Sequence, residues 1–268
     1  MNWWGKVLGG AFGFMLGGPL GALLGAVLGH NLDKGMGRLE HEDDDFIRPL
    51  PGDRERVQTA FFTATFSVMG HIAKADGRVT PQEIALAEAV MRHMDLQPEM
   101  RKTAIGLFNE GKQADFDLDG VLAQFRLECH RRRTLMRMFL EIQIQAGYAD
   151  GSLHPDEERI LRHCAQVLGI SALEFGAIKA AIEAQLHQRG RVDGEPGPSL
   201  EDDYKLLNVN AKASDAELKK AYRRLINQHH PDKLVSKGLP EEMIKLATEK
   251  SQAIRAAYDR IRKARGGT

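Results

Sequence analysis

The residues with the most distinctive chemistry in this chain are His230, Pro231 and Asp232, which place an imidazole and a carboxylate on either side of a proline. Proline disfavours the α conformation in the residue before it, so we expect a helix to end near His229 and the three residues to lie in an exposed turn. The simplest interpretation is a helix terminator with an ordinary histidine cap. Such a cap requires neither the aspartate nor a basic helix before it, and the combination therefore favours a recognition motif.

The element that must position this turn is a helix predicted between Ser214 and His229. Its apolar residues recur at intervals of three and four and share one face, while four cations occupy the other face. Ser214 and Glu217 have the spacing of a capping box, which fixes the start of the helix. The apolar face comprises Leu218, Ala221, Tyr222 and Leu225, and the basic face comprises Lys219, Lys220, Arg223 and Arg224.

With these surroundings, the turn resembles the J domain of DnaJ-type Hsp70 co-chaperones. The resemblance runs from an Asp-Tyr-x-x-Leu-x-Val opening at residues 203–209, through the basic helix at 218–225 and His-Pro-Asp-Lys at 230–233, to Gln-Ala-Ile-Arg-Ala-Ala-Tyr at 252–258. It implies that the turn docks on ATP-bound Hsp70 and biases it toward hydrolysis. It also implies a steering role for Lys219, Arg223 and Arg224, and a contact bordered by Tyr222 and Lys233.

A second long helix is predicted after the turn, opened by Pro240 with Glu241 and Glu242. Its apolar residues can face the 214–229 helix in an antiparallel hairpin whose end is covered by residues 204–209. The short fourth helix of many J domains is absent or reduced to residues 262–265. The predicted stripe comprises Ile244, Ala247, Ser251, Ile254, Tyr258 and Ile261.

Composition favours an all-α protein without a strong overall charge. A length of 268 residues suggests two domains, and 37 basic residues balance 37 acidic ones, which argues against nucleic acid as a partner. Acidic neighbours such as Glu201 weaken the alternative that the basic helix binds phosphate backbones or anionic lipid. Cys129 and Cys164 form neither a disulfide framework nor a zinc ribbon and fit a reducing compartment.

Familiar catalytic signatures are missing from the sequence. It contains no Gly-x-x-x-x-Gly-Lys-Ser/Thr, His-Glu-x-x-His or Gly-x-Ser-x-Gly pattern. We therefore expect no catalytic residues, no enzymatic activity and no cofactor, and any ATP must be hydrolysed by the partner.

The N-terminal region predicts a single transmembrane helix over residues 7–31, after a short tail of residues 1–6. Residues 7–29 form an uncharged run of 23 residues, long enough to cross a bilayer as a helix of about 35 Å. A glycine at every fourth position favours a close helix–helix crossing and hence a homodimer. A cleaved signal peptide or a flexible leader is the alternative. The ridge comprises Gly9, Gly13, Gly17, Gly21, Gly25 and Gly29.

Charges beside this span predict its orientation. Lys6 precedes it, whereas Lys34, Arg38 and Arg48 follow it, a mild excess that places the C-terminal part in the cytoplasm. The resemblance to DnaJ-type co-chaperones, which act only where an Hsp70 is present, implies the same orientation in a bacterial inner membrane, with the N-terminus in the periplasm. Residues 32–52, with an acidic run and two prolines, are predicted to be a tether.

Residues 53–187 predict a helical middle domain that contains an internal repeat. A stripe of Val57, Phe61, Ala64, Val68 and Ile72 has helical spacing, and Ala-Asp-Gly followed by Pro-x-Glu occurs at residues 75–83 and again at 149–157, an offset of 74. The paired pattern resembles the TerB-like (tellurite-resistance-protein-like) α-helical domain. A Gly- and Pro-rich linker at 188–199 separates it from the J domain at 200–268.

Metal binding is the sharper hypothesis for this repeat. Its glycines and Pro-x-Glu sequences could be turn and capping chemistry alone. Pseudo-symmetry could instead bring four carboxylates together as an oxygen site for Mg²⁺ or Ca²⁺. Asp115, Asp117 and Asp119 suggest an EF-hand loop, but Arg126 at its last position opposes metal and favours an acidic helix start. The four carboxylates of the repeat that would form the oxygen site are Asp76, Glu83, Asp150 and Glu157.

The order of span, TerB-like domain and J domain resembles a membrane-anchored DnaJ-like co-chaperone. It implies Hsp70 (DnaK) as partner, together with membrane-associated clients. A different hypothesis remains open, in which the protein is a membrane sensor or scaffold whose middle domain binds a metal or a signalling partner and the J domain is an accessory.

The run His130–Arg133 is predicted to be a solvated helix face, with a partner-docking patch as its alternative.

Overall fold

A computed structural model of the chain describes residues 18–27, 53–75, 88, 91–92, 96–148, 151–189, 199–240 and 243–266. Within these ranges every regular element is a helix, as the predicted all-α class requires. The helices are α1 (residues 18–27), α2 (Asp53–Ala73), α3 (Pro98–Gly111), α4 (Leu118–Glu128), α5 (Arg133–Gly147), α6 (Pro155–Val167), α7 (Ala172–Arg189), α8 (Leu200–Leu207), α9 (Asp215–His229), α10 (Pro231–Ser236) and α11 (Ile244–Ala264). Helices α2 to α7 form the middle domain, and α8 to α11 form the J region.

Helix α2 is the centre of the middle domain. Both the predicted stripe and the opposite face of α2 are buried, because α3, α4, α5 and α6 all contact this helix. Phe62 and Phe66, which lie outside the stripe, pack edge to face with their ring centroids 4.9 Å apart. A helix covered on most sides needs no exposed polar face, so burial extends from the expected stripe to most of α2, including Thr63, Thr65 and Ser67. The stripe residues are at most 3% exposed and comprise Val57, Phe61, Ala64, Val68 and Ile72.

Helices α2 and α3 pack with their backbones in direct contact at two glycines. A Cβ atom on Gly70 would lie 2.0 Å from the carbonyl oxygen of Phe108, and one on Gly111 would lie 1.8 Å from that of Ser67. These distances are far below van der Waals contact. Glycine at both positions therefore permits the crossing.

Helix α4 begins with an aspartate cap, as the acidic helix start predicts. The Asp117 carboxylate accepts a hydrogen bond of 2.9 Å from the Gly120 amide. The helix ends at Glu128, and the chain turns at the fully buried Cys129. The run His130–Arg133 therefore lies in the connection to α5 and at its first residue, so its assignment to a helix face was wrong.

The described part of the second copy of the internal repeat, residues 151–157, leads from the α5 side into the first turn of α6. Gly151 has a left-handed φ of +96°, and α6 starts at Pro155. The His154 ring accepts a hydrogen bond from the Asp156 amide at 3.3 Å, and the His154 amide donates to Glu157 at 2.9 Å, which completes a capping box. The first copy, from Asp76 to Glu83, lies outside the described residues.

The J region is a helical hairpin of α9 and α11 closed at one end by α8. Helix α9 ends at His229, as predicted. Asp203 of α8 is fully buried and accepts two hydrogen bonds from Arg260 of α11, at 2.8 and 2.5 Å. The hairpin core, which also includes Ala181 of α7, comprises Leu206, Leu207, Leu218, Leu225, Ile254, Ala257 and Ile261.

The first part of α11 faces the middle domain instead of the hairpin. The helix begins at Ile244, later than the predicted start at Pro240. Ala247 belongs to the hydrophobic core of the middle domain, whereas Ile254 and Ile261 belong to that of the hairpin. The predicted stripe is therefore divided between two cores, because its first turn lies where the J region meets the middle domain.

Helix α1 packs on the middle domain. Leu20 and Val27 are 3% and 4% exposed, and the Leu20 amide donates to the Gln124 side chain at 2.7 Å. Among the described residues, no helix combines the length and apolarity needed to span a bilayer. Gly21 and Gly25 of the predicted glycine ridge lie in α1. Its other members, Gly9, Gly13, Gly17 and Gly29, lie outside the described residues, so the dimer stays a prediction.

Candidate functional site

The His-Pro-Asp turn forms an exposed corner between α9 and α10. His230 has extended backbone angles and caps α10, while Pro231 and Asp232 occupy the first turn of that short helix. The expected open turn is thus partly helical. The Asp232 side chain is 90% exposed and that of His230 is 45% exposed, with Nδ1 and Oδ2 4.0 Å apart. An imidazole and a carboxylate are therefore presented together to a partner.

The basic face of α9 leads to this corner and is open to solvent. Its members are all exposed. The predicted capping box is present, since the Ser214 amide donates to Glu217 at 2.7 Å and the Glu217 amide donates to Ser214 Oγ at 3.3 Å. The carboxylate therefore sits at the helix start, and the cations beyond it can attract an acidic surface. These cations are Lys219, Lys220, Arg223 and Arg224.

Tyr222 and Lys233, the two residues expected to border the contact, stabilise the local structure. The ring of the half-buried Tyr222 stacks on Tyr258 of α11, with centroids 4.2 Å apart and planes 16° from parallel. The Lys233 ammonium donates to Asn227 Oδ1 at 2.5 Å, which ties α10 to the end of α9. Their expected place at the border of the Hsp70 contact stays a prediction.

Three of the four predicted metal ligands, Asp76, Glu83 and Asp150, lie outside the described residues, so that site stays untested. The fourth, Glu157, serves in the capping box of α6. Within the described ranges there is no group of three or more potential metal ligands.

Two of the three aspartates that suggested an EF-hand loop have ordinary structural roles. Asp117 caps α4, and Asp119 contacts the imidazole of His163, with Oδ1 and Nε2 2.5 Å apart. This His163–Asp119 pair links α4 to α6. It was not anticipated from the sequence, because the two residues are far apart along the chain.

The two cysteines are structural. Both are free and buried, and burial raises the pKa of Cys129 and of Cys164 to about 12. The thiols are therefore protonated at neutral pH and act as small apolar side chains in the core.

A buried charged cluster beside the His-Pro-Asp turn was missed by sequence reasoning. Burial lowers the pKa of His229 to about 4. Burial alone would raise the pKa of Glu141, but His229, Lys250 and Arg137 together hold it below its ordinary value. The signal was present, since Glu141 is a carboxylate within the apolar run of α5, and a charge in such a run predicts a buried partner.

Comparison with protein-family models gives three matches along the chain. Residues 1–39 match the co-chaperone DjlA transmembrane domain, residues 62–180 match tellurite resistance protein TerB, and residues 202–265 match the DnaJ domain. The resemblances to TerB-like and J domains are confirmed. The match at the N-terminus supports a membrane-anchored protein.

Curated relatives resemble the chain over its full length. It is 43% identical to co-chaperone protein DjlA of Coxiella burnetii over 270 residues, covering 99% of both chains. It is 44% identical to the protein of the same name from Shewanella oneidensis over 266 residues, again covering 99% of both. No solved structure matches the chain. With these identities over almost complete chains, and with all three constituent domains matched in order, the chain belongs to the co-chaperone DjlA family.

Proposed function

We propose that this protein is a membrane-anchored co-chaperone whose J domain stimulates ATP hydrolysis by Hsp70 (DnaK) and recruits it to clients near the membrane. The observation that carries the proposal is the exposed His230–Asp232 corner at the end of an exposed basic helix face. The DnaJ-domain match at residues 202–265 supports it.

The corner and the basic face have different tasks in this mechanism. Lys219, Arg223 and Arg224 steer the encounter with an acidic surface of Hsp70, because exposed rim charges mainly set association rate and salt dependence. His230, Pro231 and Asp232 then form the central contact that decides whether the complex is productive. This chain carries out no chemical step, since the ATP is hydrolysed by its partner.

Anchoring adds local concentration to this activity. In this proposal residues 7–31 leave the position of α1 on the middle domain and cross the bacterial inner membrane, with the N-terminus in the periplasm and both folded domains in the cytoplasm, where Hsp70 is present. The glycine ridge pairs two such helices in a homodimer. Two J domains on one dimer then engage Hsp70 near the same client, which increases avidity without any new contact.

Replacing Asp232 with asparagine tests the central contact. Asp232→Asn preserves size and removes the charge, so we expect stimulation of Hsp70 ATP hydrolysis to be lost while the circular dichroism spectrum is unchanged. Asp259→Asn is the matched control, because Asp259 is also an exposed acid of the J region. Normal stimulation by Asp232→Asn, or equal loss in the control, would refute the assignment of the corner.

A sensor or scaffold role is a second candidate, favoured by a cleft in the middle domain. The cleft has a volume of about 590 Å³ and is lined by residues of α1, α2 and α3, together with Pro240 of the J region. Calorimetric titration of the full chain with Mg²⁺ and Ca²⁺ tests whether the middle domain is a metal sensor. Absence of heat at millimolar metal would exclude a metal-sensing role.

A further inference from the structure

The His-Pro-Asp corner is the exposed apex of a segment whose two ends are buried against the middle domain. On one side, the His229 side chain is 4% exposed. On the other side, Leu234, Leu239 and Met243 are fully buried and belong to the same hydrophobic core as α2 and α5. The middle domain therefore supports both ends of the segment that carries the corner.

Glu141 of α5 contacts the end of α9 directly. Its Oε1 lies 3.6 Å from His229 Nε2 and accepts a hydrogen bond of 3.1 Å from Arg137 Nε. Its Oε2 lies 4.0 Å from Lys250 Nζ of α11, and Lys250 donates to Gln185 of α7 at 3.0 Å. Because a buried carboxylate is stable only when it is paired, this cluster fixes α9 and α11 to the middle domain together.

The backbone of His229 is held as firmly as its side chain. Ser251 Oγ of α11 donates to the His229 carbonyl at 2.6 Å. This carbonyl belongs to the last turn of α9, where intrahelical partners are missing. The residue immediately before the corner thus packs against α5 through its buried ring and is hydrogen-bonded to α11 through its carbonyl.

The chain beyond the corner has little freedom. Gly238 has a left-handed φ of +94°, and a Cβ atom there would lie 2.9 Å from Val57 Cγ1 of α2. The Lys237 ammonium donates to Thr134 Oγ1 of α5 at 3.1 Å. The corner, with Asp232 90% exposed, projects away from these supports.

We propose that the middle domain is part of the Hsp70-stimulating device, with Glu141 as a positioning residue that holds the His-Pro-Asp corner in its docking orientation through His229. Glu141 is only 9% exposed, so it acts through His229 and not by contact with Hsp70. The basic face can hold the complex whether or not the corner is ordered, but only a corner held in the correct orientation makes the bound complex productive, so order at the corner sets the maximal rate. The inference rests on the proposed function, because it assumes that the corner is the element that acts on Hsp70.

Glu141→Gln in the full chain tests this role. The substitution keeps the shape of the side chain but removes the charge that pairs with Lys250 and Arg137. We expect the maximal acceleration of single-turnover Hsp70 ATP hydrolysis to fall about fivefold, while the half-saturating concentration changes less than about twofold, because the basic face that steers encounter is intact. Hydrogen exchange of the amides at residues 230–239 should accelerate in parallel.

Glu158→Gln is the matched control. Glu158 of α6 is 21% exposed and, like Glu141, is a carboxylate paired with two cations, but its partners Lys179 and Arg162 both lie within the middle domain. We expect this variant to leave the maximal acceleration, the half-saturating concentration and exchange at residues 230–239 as in the wild-type chain.

A second variant covers the case in which Glu141→Gln unfolds. Thr134→Val removes the acceptor for Lys237 at a half-buried position of similar shape, and we expect a reduction of about twofold in the same maximal rate. If the wild-type chain fails to stimulate Hsp70, the proposed function falls. If the wild-type chain stimulates Hsp70 and the folded variants reach the same maximal rate, the inference about Glu141 is wrong. It is also wrong if the variants change only the half-saturating concentration and hydrogen exchange at residues 230–239 is unchanged.

Discussion

Adjacent histidines at the end of α9 have opposite environments. His230 is half-exposed beside the fully open Asp232, whereas His229 is almost completely buried beside Glu141, Arg137 and Lys250. Glu249 and Gln185 line the same small cavity as His229. Two consecutive residues at the end of one helix therefore differ in role: the side chain of His230 is available to a partner, and that of His229 packs against the middle domain. The distinction depends on the middle domain, which covers only one of them.

The burial of His229 predicts a specific pH dependence of stability. Its pKa is lowered to about 4 in the folded chain, so the unfolded chain binds a proton first as the pH falls below about 6.5. The free energy of unfolding should therefore decrease between about pH 6.5 and 4, by about 3 kcal/mol from this group. Urea unfolding at pH 7, 6 and 5 measures the decrease.

His229→Gln provides the comparison, because glutamine does not titrate in this range. We expect the wild-type chain to lose about 2 kcal/mol more than the variant between pH 7 and pH 5. Parallel curves for the two proteins would show that His229 is not buried in its neutral form.

At the scale of elements, the crossing of α2 and α3 depends on two glycines with no space for a side chain. Gly70→Ala or Gly111→Ala places a methyl group about 2 Å from a backbone oxygen, so the helices must separate. We expect a loss of about 3 kcal/mol in the free energy of unfolding for either change, measured by urea denaturation.

Gly176→Ala is the control for this prediction. Gly176 lies within α7, and a Cβ atom there would meet nothing within 4 Å. Alanine is the better helix former, so we expect this variant to be more stable by about 0.5–1 kcal/mol. Equal destabilisation at positions 70 and 176 would mean that the close crossing is not what requires glycine.

Local signals account for the elements that were predicted correctly. The capping box of Ser214 and Glu217 and the proline at 231 fix the two ends of α9, because each acts on neighbouring backbone groups. The start of α11 was placed too early at Pro240: no side chain caps the helix at Met243, and Leu239 and Met243 are held by burial in the middle domain. Local chemistry predicts helix ends only where tertiary contacts agree with it.

At the scale of the whole molecule, the J region and the middle domain share an apolar interface. Composition predicts a linker at 188–199 and two separate units, but Leu234, Leu239 and Met243 pack into the core of the middle domain. Sequence periodicity shows which face of a helix is apolar and not which neighbour covers it. The exposed corner was therefore predictable from the sequence, whereas the contacts that position it were not.

Leu239→Ala tests whether the two parts are stabilised together. Leu239 is fully buried at this interface, so we expect a loss of about 3 kcal/mol in the free energy of unfolding. Hydrogen exchange should accelerate in both α5 and α9. Leu173→Ala, at a position that is 86% exposed, should change stability by less than about 0.5 kcal/mol. Faster exchange confined to α9 would contradict joint stabilisation.

The central claim is that the corner at residues 230–232 drives ATP hydrolysis by Hsp70, and single-turnover hydrolysis by a cytoplasmic Hsp70 measures this most directly. We predict that the intact chain raises the rate constant about tenfold or more above the basal value, and that folded His230→Gln leaves it at the basal value. Basal hydrolysis with the intact chain, or full acceleration by His230→Gln, would contradict the claim.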